Sequence, residues 1–418
     1  MIRVWSDNLG AGLLDRHGTR GAAFAYDPSA HEGRAVSLTM PVRLASWNHG
    51  WGIHPIFEMN LPEGFLREKL RLSFAKATGT FDDIDLLAVV GRSQIGRLRY
   101  TAPDAHLDEE VPFQSVDEIL RHRRDGDLFS YMMDRFARYS GIAGVQPKVM
   151  IRDETDSEIL SNTGERRLPN VKGATHIVKF WDPAEYPHLA ANEFFCLLAA
   201  EKAGLTVPRR RLSEDASALV VDRFDLRPDG TYRGIEDFCV LNAFGTSDKY
   251  KGGYETNLFK RTREFIPGET QRDQLERLFT LFVLNATVRN GDAHLKNYAL
   301  LYDDISGTPQ LADIYDIVTT TVYLPKDAMA LTLDGTTRWP NVKQLTKLGT
   351  MRCGLTPRQV KETLDRVAGG IADALAEMKR YAADNLSFAK IAAGMEAQWT
   401  IGMRQSLGIG DRAALDDG

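Results

Sequence analysis

The residues with the clearest chemical potential lie together in segment 289–297, whose sequence is Arg-Asn-Gly-Asp-Ala-His-Leu-Lys-Asn. Asp292 carries a carboxylate that could accept a proton from a hydroxyl group. Asn297, five residues further on, could bind a hard cation such as Mg2+ through its carbonyl oxygen. An N-cap aspartate followed by a solvated turn would give the same two residues, so other motifs must decide between these interpretations.

The spacing of Asp292 and Asn297 is that of the D-x-x-x-x-N catalytic loop of protein kinases. In such enzymes a second metal-binding aspartate follows, and Asp316 lies 24 residues after Asp292, in a segment predicted as a strand over 311–318. Asp313 is a competitor, which alternation along a strand would place on the other side. We favour Asp316 as the ligand, so that Asn297, Asp316 and the phosphates of ATP would together hold Mg2+.

Residues that could contact phosphate groups come earlier in the chain. Segment 143–148, Ala-Gly-Val-Gln-Pro-Lys, is a glycine-bearing loop whose backbone N–H groups could face phosphates, with Pro147 contributing none. Lys179 follows Lys148 by 31 residues, within the apolar strand predicted at 176–180. A buried lysine needs an anionic partner, which could be a phosphate or Glu193 on the next predicted helix. A plain turn and a solvated lysine are the simpler alternatives.

The elements that must position these residues follow from hydrophobic periodicity. Alternation predicts strands at 3–5, 22–26 and 36–40, and a helix over 65–74 precedes a second helix with Thr80 as its N-cap. Further predicted elements are strands at 149–151, 176–180 and 218–221 and helices over 188–203, ended by Gly204, over 272–289, and after Thr356-Pro357. A glycine loop, strands and a helix followed by a helical half is the order of a two-lobed nucleotide-binding fold.

Composition sets the broad class. A length of 418 residues favours two or three domains, and 43% apolar with 26% charged residues is ordinary for globular proteins. The net charge of −5 disfavours binding bare nucleic acid by bulk electrostatics. Three scattered cysteines disfavour a disulfide framework or a cysteine zinc site. Without a signal-peptide pattern or a long uncharged apolar stretch, we expect no membrane span and a cytoplasmic protein.

Taken in order, the motifs resemble the HipA-like serine/threonine kinases, the toxin halves of bacterial type II toxin–antitoxin pairs. The resemblance runs almost end to end and rests on segments 57–64, 86–91, 143–148, 175–179, 192–193, 221–225, 236–239 and 291–297. It implies an α+β, protein-kinase-like two-lobed fold with a mostly helical C-lobe, preceded by a small α/β N-terminal domain. The implied divisions are an N-terminal domain at 1–105, a connecting segment at 106–137, a kinase N-lobe at 138–255, a helical C-lobe at 256–400 and a flexible tail at 401–418.

The resemblance also implies roles for individual residues. Asp292 would be the proton acceptor, and Asn297 and Asp316 would hold Mg2+. The residues implied to contact ATP are Ala143, Gly144, Val145, Gln146, Pro147, Lys148 and Lys179 at the phosphates, Asp222, Arg223 and Phe224 as the adenine-binding hinge, and Asp292, Ala293, His294, Tyr315 and Asp316 around the nucleotide.

The chain departs from the family pattern at two positions. The family commonly has glutamate where Asp222 stands, a change of little consequence if the backbone contacts adenine there. The regulatory autophosphorylated serine of the family corresponds to Gly141, with Ser140 one residue earlier as a weak substitute. Autophosphorylation at this position is therefore in doubt.

These observations predict transfer of the ATP γ-phosphate to a serine or threonine of a protein. By resemblance, the target would be a translation component such as an aminoacyl-tRNA synthetase, and growth would stop. The implied partner is a helix-turn-helix antitoxin of the HipB type, through which the chain would reach operator DNA indirectly. Alternatives are a small-molecule kinase, a catalytically weak kinase-like co-repressor and, more distantly, a metallohydrolase using Asp292, His294 and Asp316.

Overall fold

A computed structural model describes residues 1–78, 81–108, 110–121, 128–153, 171–182 and 184–409. The chain divides into two compact units. One, here called the sheet unit, comprises residues 1–181, 209–247 and 300–309. The other, here called the helical unit, comprises residues 182–208, 248–299 and 310–418. The first unit thus extends well beyond residue 105, and the chain passes between the units several times.

The sheet unit is built on antiparallel strands. Five of them form a sheet in the order β4-β3-β2-β1-β5, with bounds β1 Ile2–Ser6, β2 Leu9–His17, β3 Gly21–Tyr26, β4 Trp47–His49 and β5 Leu98–Thr101. Four more form a sheet in the order β6-β7-β9-β8, with bounds β6 Lys148–Ile151, β7 His176–Lys179, β8 Arg210–Leu212 and β9 Leu219–Asp222. A further strand, β10 (Gly234–Asp237), lies beside β11 (Ala299–Tyr302).

The helices of the sheet unit are short apart from one. They are α1 Pro55–Glu58, α2 Gly64–Thr78, α3 Asp83–Val90, α4 Val116–Arg121, α5 Leu128–Phe136 and α7 Phe238–Leu241. Helix α3 begins at a reciprocal capping box, in which Asp82 accepts from the backbone and Asp85 bonds back to the N-cap amide. The predicted N-cap, Thr80, lies outside the described residues.

The prediction of a strand at 36–40 is wrong. The segment is a loop whose polar groups bind side chains from elsewhere in the unit. Ser37 Oγ and the Leu38 amide donate to the carboxylate of Glu236 at 2.7 Å each, and the Val36 amide donates to Tyr26 Oη. Alternating polarity predicted a strand here, but the buried residues are Val36, Ser37 and Met40, which do not alternate, and side chains rather than a neighbouring strand provide these hydrogen bonds.

A buried ion pair ties early and late segments of the sheet unit together. The side chains of Arg223 and Asp225 are 0% and 2% exposed, and Arg223 Nη2 lies 2.6 Å from Asp225 Oδ2. The same two residues also bind segment 94–96, since Arg223 donates to the Gln94 carbonyl and the Gly96 amide donates to Asp225. Burial by itself raises the pKa of the Asp225 carboxyl, but the Arg223 charge outweighs it and leaves that pKa lowered.

The helical unit contains the long helices. They are α6 Leu189–Lys202, α9 Gln271–Thr287, α10 Val342–Cys353, α11 Pro357–Asp384 and α12 Ala389–Leu407, and a short helix, α8 Lys260–Phe265, precedes α9. Thr356 caps α11 and Pro357 opens it, as predicted. Gly204, just past α6, has a φ of +82°, which confirms its prediction as the residue that ends this helix. Among the described residues, no helix combines the length and apolarity needed to cross a bilayer.

The prediction of a strand over 311–318 is also wrong. Only Gln310–Leu311 form a strand, β12. The backbone beyond it bonds to scattered partners: the Ala312 amide donates to Ala299, the Ile314 amide donates to Thr206, and the Arg277 guanidinium donates to the Leu311 and Ala312 carbonyls. Side-chain alternation therefore does not decide between Asp313 and Asp316.

The C-terminal helix supports the end of α9, from which segment 289–297 emerges. An added Cβ at Gly402 would lie 1.8 Å from the Thr287 carbonyl oxygen, so only glycine permits this close approach of α12. Helix α12 continues to Leu407, so residues 401–407 are helical rather than part of a tail. The remainder of the predicted tail, 410–418, lies outside the described residues.

We expect Asp225→Asn to lower the free energy of unfolding by about 3–5 kcal/mol, because it leaves the Arg223 charge buried without its counter-ion. Urea denaturation of the full chain measures the change. Glu362→Gln serves as the control, since it removes one partner of an exposed pair in which Arg358 and Glu362 are 88% and 53% exposed. Equal denaturation midpoints for the two variants would contradict the importance of the buried pair.

Candidate active site

The loop 289–297 begins with a strained residue. Arg289 has a φ of +61°, in the left-handed region that non-glycine residues seldom adopt. Its guanidinium is buried, donates to the Ala286 carbonyl and the Gln405 side chain, and has its pKa lowered to about 10 by that burial. The turn is thus held by interior contacts, and strain of this kind is often found at functional sites.

The main chain of the loop is anchored on both sides of Gly291. The Gly291 amide donates to Thr320 Oγ1 at 2.9 Å, and the Thr320 amide donates to the Arg289 carbonyl at 3.2 Å. The Asp292 amide donates to Asn290 Oδ1 at 3.2 Å. The backbone at Asp292 is therefore well anchored, whereas the Asp292 side chain is 50% exposed.

The carboxylate of Asp292 faces two ring side chains of the helical unit. Tyr250 Oη donates to Asp292 Oδ1 at 2.6 Å. His294 Nε2 lies 3.9 Å from the same oxygen, too far for a hydrogen bond. Burial lowers the pKa of His294, although the negative charges of Asp292 and Asp316 act in the opposite direction. A neutral imidazole beside the carboxylate follows at neutral pH.

Asn297, the candidate metal ligand, is hydrogen-bonded to the backbone of Asp292, the candidate proton acceptor. Its side-chain nitrogen donates to the main-chain carbonyl of Asp292 at 2.7 Å, and its amide donates to the His294 carbonyl at 3.0 Å. Because only the nitrogen of the side-chain amide can donate, this bond orients the group and directs its oxygen away from the loop backbone. The structure thus brings Asp292, His294 and Asn297 together in one turn.

Asp316 lies in a segment held from several sides. Its φ of +57° is again left-handed. Three residues later, the Thr319 amide donates to Asn192 Oδ1 at 2.8 Å, Asn192 donates back to the Thr319 carbonyl, and Trp399 Nε1 donates to Thr319 Oγ1 at 2.7 Å. Tyr315 Oη donates to the Lys296 carbonyl at 3.0 Å, which ties this segment to the loop 289–297.

Asp313 is distinguished from Asp316 by its neighbour. Arg277 Nη2 lies 4.0 Å from Asp313 Oδ1, and the guanidinium of Arg277 also donates to backbone carbonyls of the same segment. A carboxylate next to an arginine in such a structural cluster is a poor choice of metal ligand. Asp313 is thus part of a structural cluster with Arg277, and the choice of Asp316 as the metal ligand stays a prediction from the sequence.

The side chains of Asn297 and Asp316 are of the kind that fits Mg2+. Asn297 and Asp316 offer oxygen atoms only, which a small hard cation prefers, and such a cation is usually completed by phosphate oxygens and water. Within the described ranges, no three histidine, cysteine, aspartate or glutamate side chains converge to hold a metal by themselves. The residues present thus suit a cation that arrives with phosphate groups.

In the sheet unit, the loop 143–148 already binds an anionic group. Gly144 has a φ of +117°, and its amide donates to a carboxylate oxygen of Glu63 at 3.2 Å. Lys148 Nζ lies 2.4 Å from the position that a Cβ of Gly144 would occupy. The Gly144 amide thus binds a carboxylate in this structure, and the Lys148 ammonium group lies beside Gly144.

Lys148 and Lys179 lie opposite each other on the paired strands β6 and β7. Opposed residues of antiparallel strands point to the same face of the sheet. Both lysines are only 4% exposed, so the prediction that Lys179 is buried is confirmed. Two buried ammonium groups on one face of the sheet need anionic partners, because burial of an unneutralised charge is costly. In the helical unit, Glu193 is likewise buried, at 1% exposed.

The hinge residues have side chains committed to the sheet unit. The Asp222 carboxylate lies 3.3 Å from both His176 Nε2 and Arg211 Nη2, and Arg223 forms the buried pair with Asp225. The Asp222 amide donates to the Arg209 carbonyl and the Arg223 amide donates to the Thr175 carbonyl. Hydrogen bonds to adenine at Asp222 and Arg223 would therefore use their carbonyl groups.

Ser140 is placed where phosphorylation would disrupt the fold. It is fully buried, its hydroxyl donates to the Phe136 carbonyl, and the Met150 amide donates to it, both at 2.8 Å. A hydroxyl with these contacts is a poor phosphate acceptor in this conformation. Gly141 is equally enclosed, because an added Cβ would lie 2.0 Å from Gln94 Nε2 and 2.5 Å from the Ser93 carbonyl oxygen.

Three residues that contribute to these arrangements have no role in the sequence-based prediction. They are Tyr250, which binds Asp292, Glu63, which binds Gly144, and Arg277, which pairs with Asp313. Each acts through a contact distant in sequence, so local spacing could not reveal it. The only signal for Tyr250 is an exposed aromatic residue between two lysines in a glycine-containing segment.

We expect Gly141→Ser to lower the free energy of unfolding by about 1–3 kcal/mol, because its side chain would overlap Gln94 and the backbone of Ser93. Gly50→Ser is the matched control, since nothing lies within 4 Å of a Cβ at that position. Urea denaturation measures both. A Gly141→Ser variant as stable as the control would show that the segment can move aside.

Several known proteins are similar to this chain. The family model named "HipA N-terminal domain" matches residues 2–101, and the family model named "HipA-like C-terminal domain" matches residues 140–375. In Sinorhizobium fredii (strain NBRC 101917 / NGR234), "Putative kinase Y4mE" is 29% identical over 79% of this chain and 80% of its own length. "Putative kinase Y4dM" of the same organism is 27% identical over 68% of this chain and 66% of its own length.

A solved structure agrees with the fold over nearly all of the chain. HipA of Shewanella oneidensis MR-1, described in a toxin–antitoxin complex with HipB and operator DNA, aligns with a TM-score of 0.64 at 21% identity and covers 99% of both chains. The α+β, kinase-like two-lobed fold class is therefore confirmed. Since the C-terminal domain model alone matches more than half of the 418 residues, the chain belongs to the HipA family.

Proposed function

We propose that this protein is an ATP- and Mg2+-dependent serine/threonine protein kinase that acts as the toxin of a toxin–antitoxin pair. The observation that carries the proposal is the turn in which Asn297 binds the backbone of Asp292, because it presents a half-exposed carboxylate and an oriented amide oxygen together. A proton acceptor and a metal ligand at this spacing are what phosphoryl transfer to a hydroxyl requires.

In the proposed reaction, the hydroxyl oxygen of a serine or threonine forms a bond to the γ-phosphorus of ATP. The bond from that phosphorus to the oxygen bridging the β- and γ-phosphates breaks, and ADP leaves with the bond's electron pair. The hydroxyl proton passes to the Asp292 carboxylate. The surroundings of Asp292 suit this task, since its backbone is anchored by Asn290 and its side chain is half-exposed.

The remaining proposed roles concern the nucleotide. Residues Ala143 to Lys148 would bind phosphate groups through backbone amides, with Lys148 and Lys179 neutralising their charge. Carbonyl groups of Asp222 and Arg223, with Phe224, would meet adenine, and Ala293, His294 and Tyr315 would lie beside the nucleotide. Asn297 and Asp316 would hold Mg2+, which supplies charge neutralisation at the phosphates when bound.

The toxin assignment is supported by family membership and by the solved relative. The Shewanella protein is described in a toxin–antitoxin complex with HipB and operator DNA. For the present chain we propose a helix-turn-helix antitoxin of the same kind and, through it, an indirect link to DNA. A net charge of −5 is consistent with DNA contact made mainly by the partner. An aminoacyl-tRNA synthetase is the proposed class of target.

We expect the purified protein to transfer label from γ-labelled ATP to proteins of a cell extract. Asp292→Ala should lower the rate by about 10²–10⁴-fold, because it removes the general base. Omission of Mg2+ should abolish transfer by both proteins. The experiment is read by autoradiography of separated proteins, with phosphoamino-acid analysis of the labelled bands. Equal labelling by the wild type and Asp292→Ala would refute the kinase proposal.

We expect induced expression of the wild-type chain to arrest growth, and expression of Asp292→Ala at the same level not to do so. Growth curves with matched immunoblots measure this. The control variant is Glu362→Gln, whose exposed ion pair lies on the surface of α11. Arrest by Asp292→Ala as strong as that by the wild type would exclude a phosphoryl-transfer toxin, because the effect would then not depend on the proposed base.

A further inference from the structure

The carboxylate of Asp292 is bound by a residue that no sequence motif assigns. Tyr250 Oη donates to Asp292 Oδ1 at 2.6 Å, a length typical of a hydroxyl bound to a charged oxygen. Within the part of the chain that the structure describes, this is the only side-chain hydrogen bond to that carboxylate, since His294 Nε2 is 3.9 Å away. Oδ1 is therefore engaged, and the half-exposed side chain leaves Oδ2 for another molecule.

The segment that carries Tyr250 is attached to the loop 289–297 by residues on both sides of Tyr250. The Leu295 amide donates to the Lys249 carbonyl at 3.1 Å, and Tyr254 Oη donates to the Ala293 carbonyl at 3.0 Å. The ring of Tyr250 packs edge-to-face against that of His294, with centroids 5.0 Å apart. These contacts hold the phenol at a defined position relative to Asp292.

The exposure of Tyr250 argues against a role in the core. Its side chain is among the exposed large residues, at 51%, whereas Tyr254 is 1% exposed and fills the interior. An exposed ring contributes little by apolar burial, because the hydrophobic contribution scales with the area removed from water. The distinctive contribution of Tyr250 is thus its hydroxyl group, and that group is directed at Asp292.

A hydrogen bond to Asp292 Oδ1 restricts rotation about χ2, a torsion that is otherwise weakly restricted. The carboxylate of an aspartate turns about a broad, roughly two-fold χ2 well, so an unheld side chain samples many orientations. A general base must lie within hydrogen-bond reach of the proton it accepts. A donor fixed on Oδ1 restricts this rotation and directs Oδ2 in one direction.

We propose that Tyr250 is a positioning residue, which holds Asp292 Oδ1 so that Oδ2 faces the hydroxyl group of the protein substrate. The inference rests on the proposed kinase function and adds a residue to its machinery. Tyr250 acts through Asp292 and need not touch the nucleotide. Its loss should therefore slow the chemical step while leaving the apparent affinity for ATP unchanged.

The test compares Tyr250→Phe with the wild type as purified full-length proteins. The rate of label transfer from γ-labelled ATP to extract proteins is measured over a range of Mg-ATP concentrations. At saturating ATP the variant should transfer label about 10- to 100-fold more slowly than the wild type. This is a smaller loss than the one expected when the general base itself is removed. The KM for ATP should stay within about twofold, and the melting temperature within about 2 °C.

Tyr131→Phe is the matched control. Tyr131 is 46% exposed, and its hydroxyl donates to Gln114 Oε1 at 3.2 Å and accepts from Arg135 in the sheet unit, so the change removes a hydrogen-bonded phenol oxygen of similar exposure that is not bound to Asp292. This variant should transfer label at the wild-type rate. The comparison separates the loss of a hydroxyl group in general from the loss of the one that binds Asp292.

The outcomes distinguish this inference from the proposed function. If Asp292→Ala abolishes transfer and Tyr250→Phe retains the wild-type rate, the positioning role is overturned and the kinase function stands. A Tyr250→Phe variant whose KM for ATP rises as steeply as its rate falls would also overturn it, because Tyr250 would then act in binding. If Asp292→Ala transfers label like the wild type, both proposals fail.

Discussion

The hydrogen bond from the Asn297 side chain to the main-chain carbonyl of Asp292 is the contact on which the proposed chemistry of the helical unit depends. The side-chain nitrogen of the proposed metal ligand lies 2.7 Å from the main-chain carbonyl oxygen of the proposed proton acceptor. Arg289 begins the turn in a left-handed conformation, and Thr320 holds its backbone. A second left-handed residue, Asp316, follows in a segment clamped by Asn192 and Trp399 through Thr319. The surrounding helices maintain conformations that these residues would seldom adopt alone.

The sheet unit is organised around a different constraint, the burial of charge. Arg223 and Asp225 satisfy each other in the interior and also bind segment 94–96. The fully buried carboxylate of Glu236 accepts hydrogen bonds from Ser37, Leu38 and Tyr302. The pKa of Glu236 is raised by burial, although its hydrogen bonds oppose the shift. Removing one partner from such a cluster is costly, so the first hundred residues and segment 209–247 are expected to unfold together.

Hydrophobic periodicity predicted the elements that local sequence controls. The helices α6 and α9 and the strands β6, β7 and β9 begin and end close to the expected positions, and α11 begins at the expected one, because their caps and apolar faces are local features. Segments 36–40 and 311–318 were predicted as strands and are loops, since side chains and isolated carbonyls elsewhere in the chain satisfy their backbones. The position of Arg277 beside Asp313 likewise appears only in the tertiary structure, because the two residues are far apart in sequence. For the same reason the roles of Tyr250 and Glu63 were not foreseen.

The central claim is that this chain transfers phosphate from ATP to serine or threonine residues of proteins. Phosphoproteomics after brief induction tests it most directly, with wild type and Asp292→Ala expressed at matched levels in otherwise identical cells. We expect a small set of serine or threonine sites to gain phosphate with the wild type alone, before growth slows. No difference in protein phosphorylation between the two strains, with growth arrest by the wild type, would contradict the account and indicate a different phosphate acceptor.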